Sequence, residues 1–131
     1  NVHFKGFQPQ AELKNFYAQA SLFCLASIQE GLAMVVPQAM ACGLPVLASE
    51  HTGARDIVRD GTDGAIVPAR DVKSLKERIA WFHADQERCK SMGVSALERV
   101  RSGFTWNDYG DRIVAAYTRA MSRNSGDGLA A

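Results

Sequence analysis

The sequence lacks an excess of charge of either sign. Its 131 residues contain 15 lysines and arginines against 14 aspartates and glutamates, and they form no block of like charge. Proteins that bind nucleic acid or an anionic membrane do so through a basic surface. The composition therefore predicts neither kind of partner. The length of the chain predicts one domain that is large enough to bury a core.

Cysteine is scarce, and long unbroken apolar runs are absent. Cys24, Cys42 and Cys89 stand far apart in apolar surroundings, which favours buried thiols in a reducing cytosol over disulfides or a metal site. The longest apolar region, 31–49, is broken by Pro37 and three other interruptions, so we predict that it does not span a membrane. The chain also begins without methionine or a signal-like leader, and we expect it to be a piece of a longer protein.

Two motifs of cofactor and metal chemistry are missing as well. No G-x-G-x-x-G follows an apolar run, which argues against a dinucleotide oxidoreductase. No Asp-x-Asp pair occurs, and Asp60 and Asp63 flank a turn glycine, so we interpret them as turn residues. The sequence thus predicts neither a metal site nor a bound cofactor.

What the sequence does contain is an alternation of strands and helices. Short apolar runs predict strands at 2–7, 22–26, 46–48 and 65–67. Helical spacing and turn residues predict helices at 8–20, around 36–41 and at 54–59. This order predicts an α/β fold: a parallel Rossmann-like sheet with helices on both faces and right-handed crossovers.

The last part of the chain is predicted to be entirely helical. We expect a domain of residues 1–121 and a flexible tail of residues 122–131. The first C-terminal helix is capped by Asp71, and the last begins near Thr105. The residues predicted to be buried in the three helices are, in turn, Val72, Leu75, Ile79 and Phe82; Cys89, Met92, Ala96 and Val100; and Tyr109, Ile113, Ala116, Tyr117 and Ala120.

The segment from Ser27 to Ser49 organises the predicted fold. It places Glu30 and Gly31 just ahead of an apolar helix that has Pro37 in its first turns and ends at Gly43. The first N–H groups of a helix lack internal partners and carry partial positive charge, so this loop predicts a site for a phosphate-sized anion. Glu30 suits sugar hydroxyls better than phosphate. The alternative is a capped turn with a surface glutamate, and spacing alone leaves it open.

Several polar and glycine residues follow the ends of predicted strands. Gly6, Ser27 with Glu30, and the loop 49–53 all occupy such positions. Because parallel sheets bind ligands outside the carboxyl ends of their strands, we expect these loops to share one edge and to form the pocket there.

Six motifs occur in a fixed order along the chain. They read V-x-F-x-G-F at 2–7, S-x-x-E-G-L at 27–32, A-M-A-C-G-L-P-V-L-A-S at 39–49, T-G-A-R-D-I-V at 52–58, D-G-T-D-G-A-I-V at 60–67 and F-T-W-N-D-Y at 104–109. Together they resemble the C-terminal domain of the family 4 retaining glycosyltransferases, which have the GT-B fold. The resemblance covers the chain to about Met121, and it implies the binding site of a nucleotide-sugar donor.

The resemblance also implies roles for individual residues. In that family the first glutamate of an E-x7-E pattern binds the donor sugar, and Glu30 stands at this position as the one residue with a catalytic role. The second glutamate binds the ribose, and here Gln38 replaces it; an amide still donates and accepts hydrogen bonds but gives no charge-assisted acceptor. Substrate binding is further implied for the base-contacting Gly6 and Phe7, for Ser27 at the rim, and for the diphosphate-binding amides of Gly31, Leu32, Ala33 and Met34.

The reaction implied by the resemblance is the transfer of a hexosyl group to an acceptor hydroxyl with retention of configuration. A nucleoside diphosphate sugar is the donor substrate rather than a cofactor. Several functional groups of the family lie in segments that this sequence does not match. They are the arginine and lysine that bind the diphosphate, the catalytic histidine, and the site for a glycan or lipid-linked acceptor. We therefore expect the piece alone to be inactive, and the parent enzyme to work in the cytoplasm, where a further N-terminal domain could bring it to the inner face of the membrane.

Other functions stay open at this point. A non-catalytic homologue that acts as a binding or scaffolding module fits Gln38, and it predicts weak or absent nucleotide binding. A nucleotide-sugar epimerase of the same overall fold would need catalytic acids and a histidine at the cleft. His3, His51 and His83 are each interpreted as structural or surface residues, because lone histidines seldom prove to be ligands.

Overall fold

The computed structural model describes residues 1–124. The chain forms two compact units, Asn1–Val100 and a second that begins at Arg101. The first unit contains three parallel strands in the order β1-β2-β3. They are β1 (Phe23–Leu25), β2 (Val46–Ser49) and β3 (Gly64–Val67).

Helices connect and follow these strands. Within residues 1–124 they are α1 (Gln10–Gln19), α2 (Val35–Ala41), α3 (Val72–His83), α4 (Gln86–Arg101) and α5 (Trp106–Asn124), with a short 3₁₀ helix at Ala54–Asp56. Parallel strands need a crossover between them, and α2 makes the crossover from β1 to β2. The predicted alternation of strands and helices is therefore confirmed for three of the four strands, and the helix predicted at 54–59 shortens to the 3₁₀ helix.

Apolar clusters lie on both faces of the sheet. On one face, Phe23 of β1 packs with Tyr17 of α1 and Ala39 of α2. On the other face, Leu47 of β2 packs with Phe82 of α3 and with residues of α4. Phe23 is the register partner of Val46, and Leu47 points to the opposite face because side chains alternate along a strand. Helices on both faces of the sheet were predicted, and this packing confirms them.

Helix α4 follows its predicted pattern fully, whereas α3 does so only in part. Cys89, Met92, Ala96 and Val100 are all buried along α4. In α3, Leu75 and Phe82 pack into the core, but Val72 and Ile79 are 75% and 44% exposed. Trp81 packs against the cluster where Ile79 was expected. Spacing predicts an apolar stripe, but it does not show which residues of the stripe the rest of the core covers.

The turn after α2 has the predicted left-handed stop. Pro37 lies in the first turn of the helix, and Gly43 follows its end with a φ of 76°. The N–H of Gly43 donates to the carbonyl of Met40 at 2.9 Å, and that of Leu44 donates to Ala39 at 3.1 Å. This pair of bonds is the Schellman pattern, which satisfies the last carbonyls of a helix.

The strand predicted at 2–7 is wrong. Residues 1–9 form neither helix nor strand, and Val2, Phe4 and Phe7 are 81%, 95% and 93% exposed. A strand needs a hydrogen-bonded neighbour as well as a suitable sequence. Within residues 1–124, β1 pairs only with β2, and no element pairs with this segment.

The edge position of β1 also corrects two predictions about burial. Phe23 and Leu25 are half-buried rather than enclosed on both faces. Cys24 of β1 is exposed as well. Cys42 is also exposed, but at the end of α2, and of the three thiols only Cys89 is buried as predicted. An edge strand with one partner leaves part of its surface to solvent, which short apolar runs in a sequence cannot reveal.

Asp63 is a buried structural carboxylate rather than an ordinary turn residue. Its side chain is inaccessible to solvent. It accepts hydrogen bonds from the backbone N–H and the guanidinium of Arg59, and from Ser95 Oγ of α4 at 2.8 Å. These bonds fasten the turn before β3 to α4, since a buried charge must be paired to be tolerated.

The second unit contains α5. Thr105 and Asp108 cap its start reciprocally: Asp108 accepts from the N–H of Thr105 at 2.8 Å, and Thr105 Oγ1 accepts from the N–H of Asp108 at 3.2 Å. The predicted start of this helix is confirmed. The predicted buried face of this helix is wrong for four of its five residues: Ile113 is half-buried, whereas Tyr109, Ala116, Tyr117 and Ala120 are exposed. The helix reaches Asn124, and residues 125–131 of the predicted tail lie outside the described residues.

Candidate functional site

An open cleft of about 630 Å³ lies at the carboxyl ends of β1 and β2. The loop after β1 contributes one wall, and the loop after β2 contributes the other. The lining residues are Ile28, Gln29, Glu30, Gly31, Leu32, His51, Gly53 and Asp56. This is the edge at which parallel sheets bind ligands, so the location predicted from the strand order and the position of this cleft agree.

Backbone contacts join the two walls of the cleft. The N–H of Glu30 donates to the carbonyl of His51 at 2.7 Å, and the N–H of Ala33 donates to Thr52 at 3.4 Å. Gly53 has a φ of 67°, and a Cβ atom there would lie only 2.6 Å from the carbonyl oxygen of Gly31. Only glycine permits this approach, so the loops after β1 and β2 form one connected surface.

Glu30 is held at the rim by a side chain of its own loop. Ser27 Oγ donates to Glu30 Oε1 at 3.0 Å. The carbonyl of Ser27 in turn accepts a short hydrogen bond from Ser49 Oγ, at the end of β2. A carboxylate has four acceptor positions, and the bond from Ser27 Oγ occupies one of those of Glu30. Glu30 is exposed, and it therefore retains the capacity to accept hydrogen bonds from a ligand's hydroxyl groups.

The charges at the cleft are predominantly acidic. Among its described lining residues, Glu30 and Asp56 are carboxylates, and His51 is the only side chain that can carry a positive charge. Glu50 lies beside them: its Oε2 is 3.2 Å from Nη2 of Arg55, and its Oε1 is 3.6 Å from Nε2 of His51. Glu50 Oε1 also accepts from the N–H of Ala69 after β3. Glu50 thus connects the loops after β2 and β3.

The structure brings together part of the predicted site. Glu30, Gly31 and Leu32 line the cleft, and Ser27 binds Glu30. Ala33, Met34 and Gln38 belong to the adjoining start of α2, where the amide of Ala33 is already used by Thr52. Gly6 and Phe7 lie on the exposed segment before α1 and are not part of the lining.

Two further titratable residues line the cleft: His51 lies in the loop 49–53 that was predicted to form the pocket, whereas Asp56 was not predicted for the site. His51 was interpreted as structural or surface, and Asp56 belongs to the helix predicted after the turn at Gly53. The signal available for Asp56 was the one already used for the loop 49–53: it follows the end of β2 within a few residues, at the edge that the sheet offers to ligands.

Neither a metal centre nor a membrane span is found in the described part of the chain. No group of three or more His, Cys, Asp or Glu side chains among residues 1–124 is arranged to hold a metal ion. The helices within the same residues are too short or too polar to cross a bilayer.

The chain is similar to glycosyltransferases in sequence and in structure. The family Glycosyl transferases group 1 matches residues 1–99. D-inositol 3-phosphate glycosyltransferase of Kribbella flavida is 33% identical over 112 residues, which are 86% of this chain and 26% of that protein. This chain therefore spans about a quarter of that relative.

Two solved structures share the fold. The sucrose-phosphate synthase of Thermosynechococcus elongatus superposes with a TM-score of 0.72 and 29% identity, over 82% of this chain and 27% of that one. Alr3699/HepE of Anabaena, solved in complex with UDP and glucose, gives a TM-score of 0.79 at 22% identity, over 90% and 32% of the two chains. The predicted Rossmann-like, GT-B type of architecture is confirmed by these matches.

Proposed function

Because this chain belongs to the group 1 glycosyl transferases, we propose that it forms the donor half-site of a retaining family 4 hexosyltransferase. A nucleoside diphosphate sugar is then the substrate rather than a resident cofactor, and its hexosyl group passes to a hydroxyl of a glycan or lipid-linked acceptor. The observation that carries the proposal is the cleft at the ends of β1 and β2, where Ser27 holds Glu30 beside the exposed Gly31.

In this proposal Glu30 positions the donor sugar. Its exposed carboxylate accepts hydrogen bonds from sugar hydroxyls, and such contacts orient the anomeric carbon for attack. Ser27 restricts the rotamers of Glu30, so less entropy is lost when the sugar binds. Glu30 is assigned this positioning role rather than that of a nucleophile.

The diphosphate is assigned to the loop that follows Glu30. Gly31 and Leu32 line the cleft, and an added Cβ on Gly31 would meet nothing within 4 Å, so the backbone there is open to a ligand. Met34 and Gln38 are placed next to it, with Gln38 binding the ribose through its amide. Backbone N–H groups stabilise the charge on the leaving diphosphate without reorganising.

The relatives support a nucleotide-sugar donor. The Anabaena protein was solved with UDP and glucose, and the relative from Kribbella flavida is a glycosyltransferase by name. Since this chain spans about a quarter of that relative, we assign acceptor binding and the remaining catalytic groups to other parts of a longer protein. We expect the chain alone to bind donor without turnover. Its three free thiols suit a reducing compartment such as the cytoplasm.

Calorimetric titration tests the proposal directly. UDP, GDP and ADP are titrated into this chain, followed by UDP-glucose, GDP-mannose and ADP-glucose. One nucleotide series should bind. Glu30→Ala should weaken the sugar nucleotide at least about tenfold, because a charged hydrogen bond to the sugar is lost, and it should not weaken the bare diphosphate, which Glu30 does not bind. Glu77→Ala, on the exposed surface of α3, is the matched control and should change neither affinity.

A second outcome would favour a different function. If none of the six nucleotides binds, the donor half-site is refuted for this chain. Gln38 in place of the family's second glutamate then favours the non-catalytic module, and binding that appears in Gln38→Glu would assign the loss to the ribose contact. An equal loss of sugar nucleotide and bare diphosphate in Glu30→Ala would contradict the role given to Glu30.

A further inference from the structure

We propose that His51 supplies positive charge to the donor's diphosphate, so that donor binding strengthens as the pH falls. This inference rests on the proposed function and names a group of this chain that neither motif nor family resemblance assigns. It starts from the charges of the cleft. The described lining contains Glu30 and Asp56, two carboxylates that repel a diphosphate, and His51 alone can offset them.

The backbone fixes His51 next to the loop proposed for the diphosphate. The carbonyl of His51 accepts the N–H of Glu30 at 2.7 Å, one residue before Gly31. The following Gly53 contacts the backbone of Gly31 and Leu32. The main chain of His51 is therefore bonded to the opposite wall, while its side chain is 63% exposed and accessible to a ligand in the cleft.

The neighbours of His51 do not cancel its charge. Its Nε2 lies 3.6 Å from Glu50 Oε1, but Glu50 is also paired with Arg55 at 3.2 Å. Glu50 and Arg55 together are neutral, so protonation of His51 gives this group of three side chains one net positive charge. Glu30, on the loop after β1, and Asp56, on the same side as His51, line the cleft with it. A diphosphate placed between them meets less repulsion once His51 is charged.

Histidine is the side chain that ordinarily changes its charge between about pH 5 and pH 8. A unit charge about 4 Å from a phosphate, in surroundings close to bulk water, changes affinity by about fivefold. Fivefold is the effect of a complete change of charge, so we expect donor affinity to rise by about threefold to fivefold when the pH is lowered from about 7.5 to about 5.5.

The test is a calorimetric titration of UDP-glucose, GDP-mannose and ADP-glucose into this chain at both pH values and constant ionic strength. Sugar nucleotides are used because their diphosphate keeps its charge in this range, whereas the terminal phosphate of a bare nucleotide does not. His51→Gln should lose most of the pH response. His83→Gln, at the exposed end of α3, should retain it.

A second measurement does not depend on the variant. In proton NMR of the wild-type chain, addition of the sugar nucleotide should shift the ring resonances of His51 and leave those of His83 in place. The inference would be overturned if wild type and His51→Gln bound donor with an equal pH response, or if the His51 resonances did not shift. The proposed donor site would be unaffected by either result. Absence of binding at both pH values would instead refute the proposed function, and the role of His51 with it.

Discussion

The guanidinium of Arg59 donates hydrogen bonds to both oxygens of the buried Asp63 carboxylate, from Nε to Oδ2 at 2.8 Å and from Nη2 to Oδ1 at 2.7 Å. Ser95 Oγ of α4 donates to the same Oδ1. The turn before β3 is thereby fixed to a helix more than thirty residues further along the chain.

Replacing this carboxylate should destabilise the fold. Asp63→Ala leaves Arg59 and Ser95 without their acceptor, and we expect the free energy of unfolding to fall by about 2 kcal/mol, since Arg59 is half-exposed and can regain water. Urea denaturation measures the change, with the surface variant Glu77→Ala as the control. A midpoint equal to that of the wild type would show that these bonds contribute nothing.

Asp63 should also make the fold sensitive to acid. Burial alone would raise its pKa, but the hydrogen bonds from Arg59 and Ser95 outweigh burial and hold the pKa below 3.8, the ordinary value for aspartate. A carboxylate whose pKa is lowered in the folded state stabilises the protein above its unfolded pKa, and this stability is lost as the pH falls through the folded pKa. The free energy of unfolding should therefore decrease below about pH 4, and less steeply in Asp63→Asn. Parallel pH profiles of the two proteins would contradict this.

The helix stop at Gly43 predicts a graded response to substitution. Valine at a φ of 76° is strained, and we expect Gly43→Val to lower stability by about 1–3 kcal/mol. Asparagine tolerates this conformation better, so Gly43→Asn should retain more of the stability. Thermal unfolding followed by circular dichroism compares the two. Equal melting temperatures in both variants and the wild type would mean that the left-handed turn is not required.

Substitution by alanine should have different effects at two glycines of the cleft. Gly53→Ala places a Cβ 2.6 Å from the carbonyl oxygen of Gly31 at a positive φ, and it should cost about 1–3 kcal/mol of stability. Gly31→Ala meets open space and should leave the melting temperature nearly unchanged while weakening donor binding, because the added methyl group occupies the ligand's side of the loop. Melting curves and donor titrations of both variants and the wild type measure these two effects. Equal stability losses would refute the assigned loop contact.

The features that could be predicted from the sequence depend on local order. Cys89, Met92, Ala96 and Val100 recur at helical spacing, and that periodicity alone selects the buried face of α4. Likewise Gly43 followed by Pro45 specifies a helix stop without reference to any distant residue. Glu30 was found because the start of α2 and the motif around it are contiguous in the chain.

The features that were missed depend on distant partners. Residues 2–7 have a strand-like sequence but no strand neighbour in the described chain, and Asp63 accepts a hydrogen bond from Ser95, 32 positions away. The loop 49–53 was predicted to lie at the pocket, but the hydrogen bond that its His51 accepts from Glu30 was not predicted. A sequence indicates which residues suit an element, but it does not show which elements meet.

The connected walls of the cleft have a consequence for exchanging parts between relatives. The loop after β1 and the loop after β2 share two backbone hydrogen bonds and a contact that only Gly53 allows. A chimera that imports a foreign segment at 27–34 would therefore meet an unmatched surface at 50–53. Donor preference should be transplanted as a pair of loops, and a library that varies either one singly would mostly sample misfitted backbones.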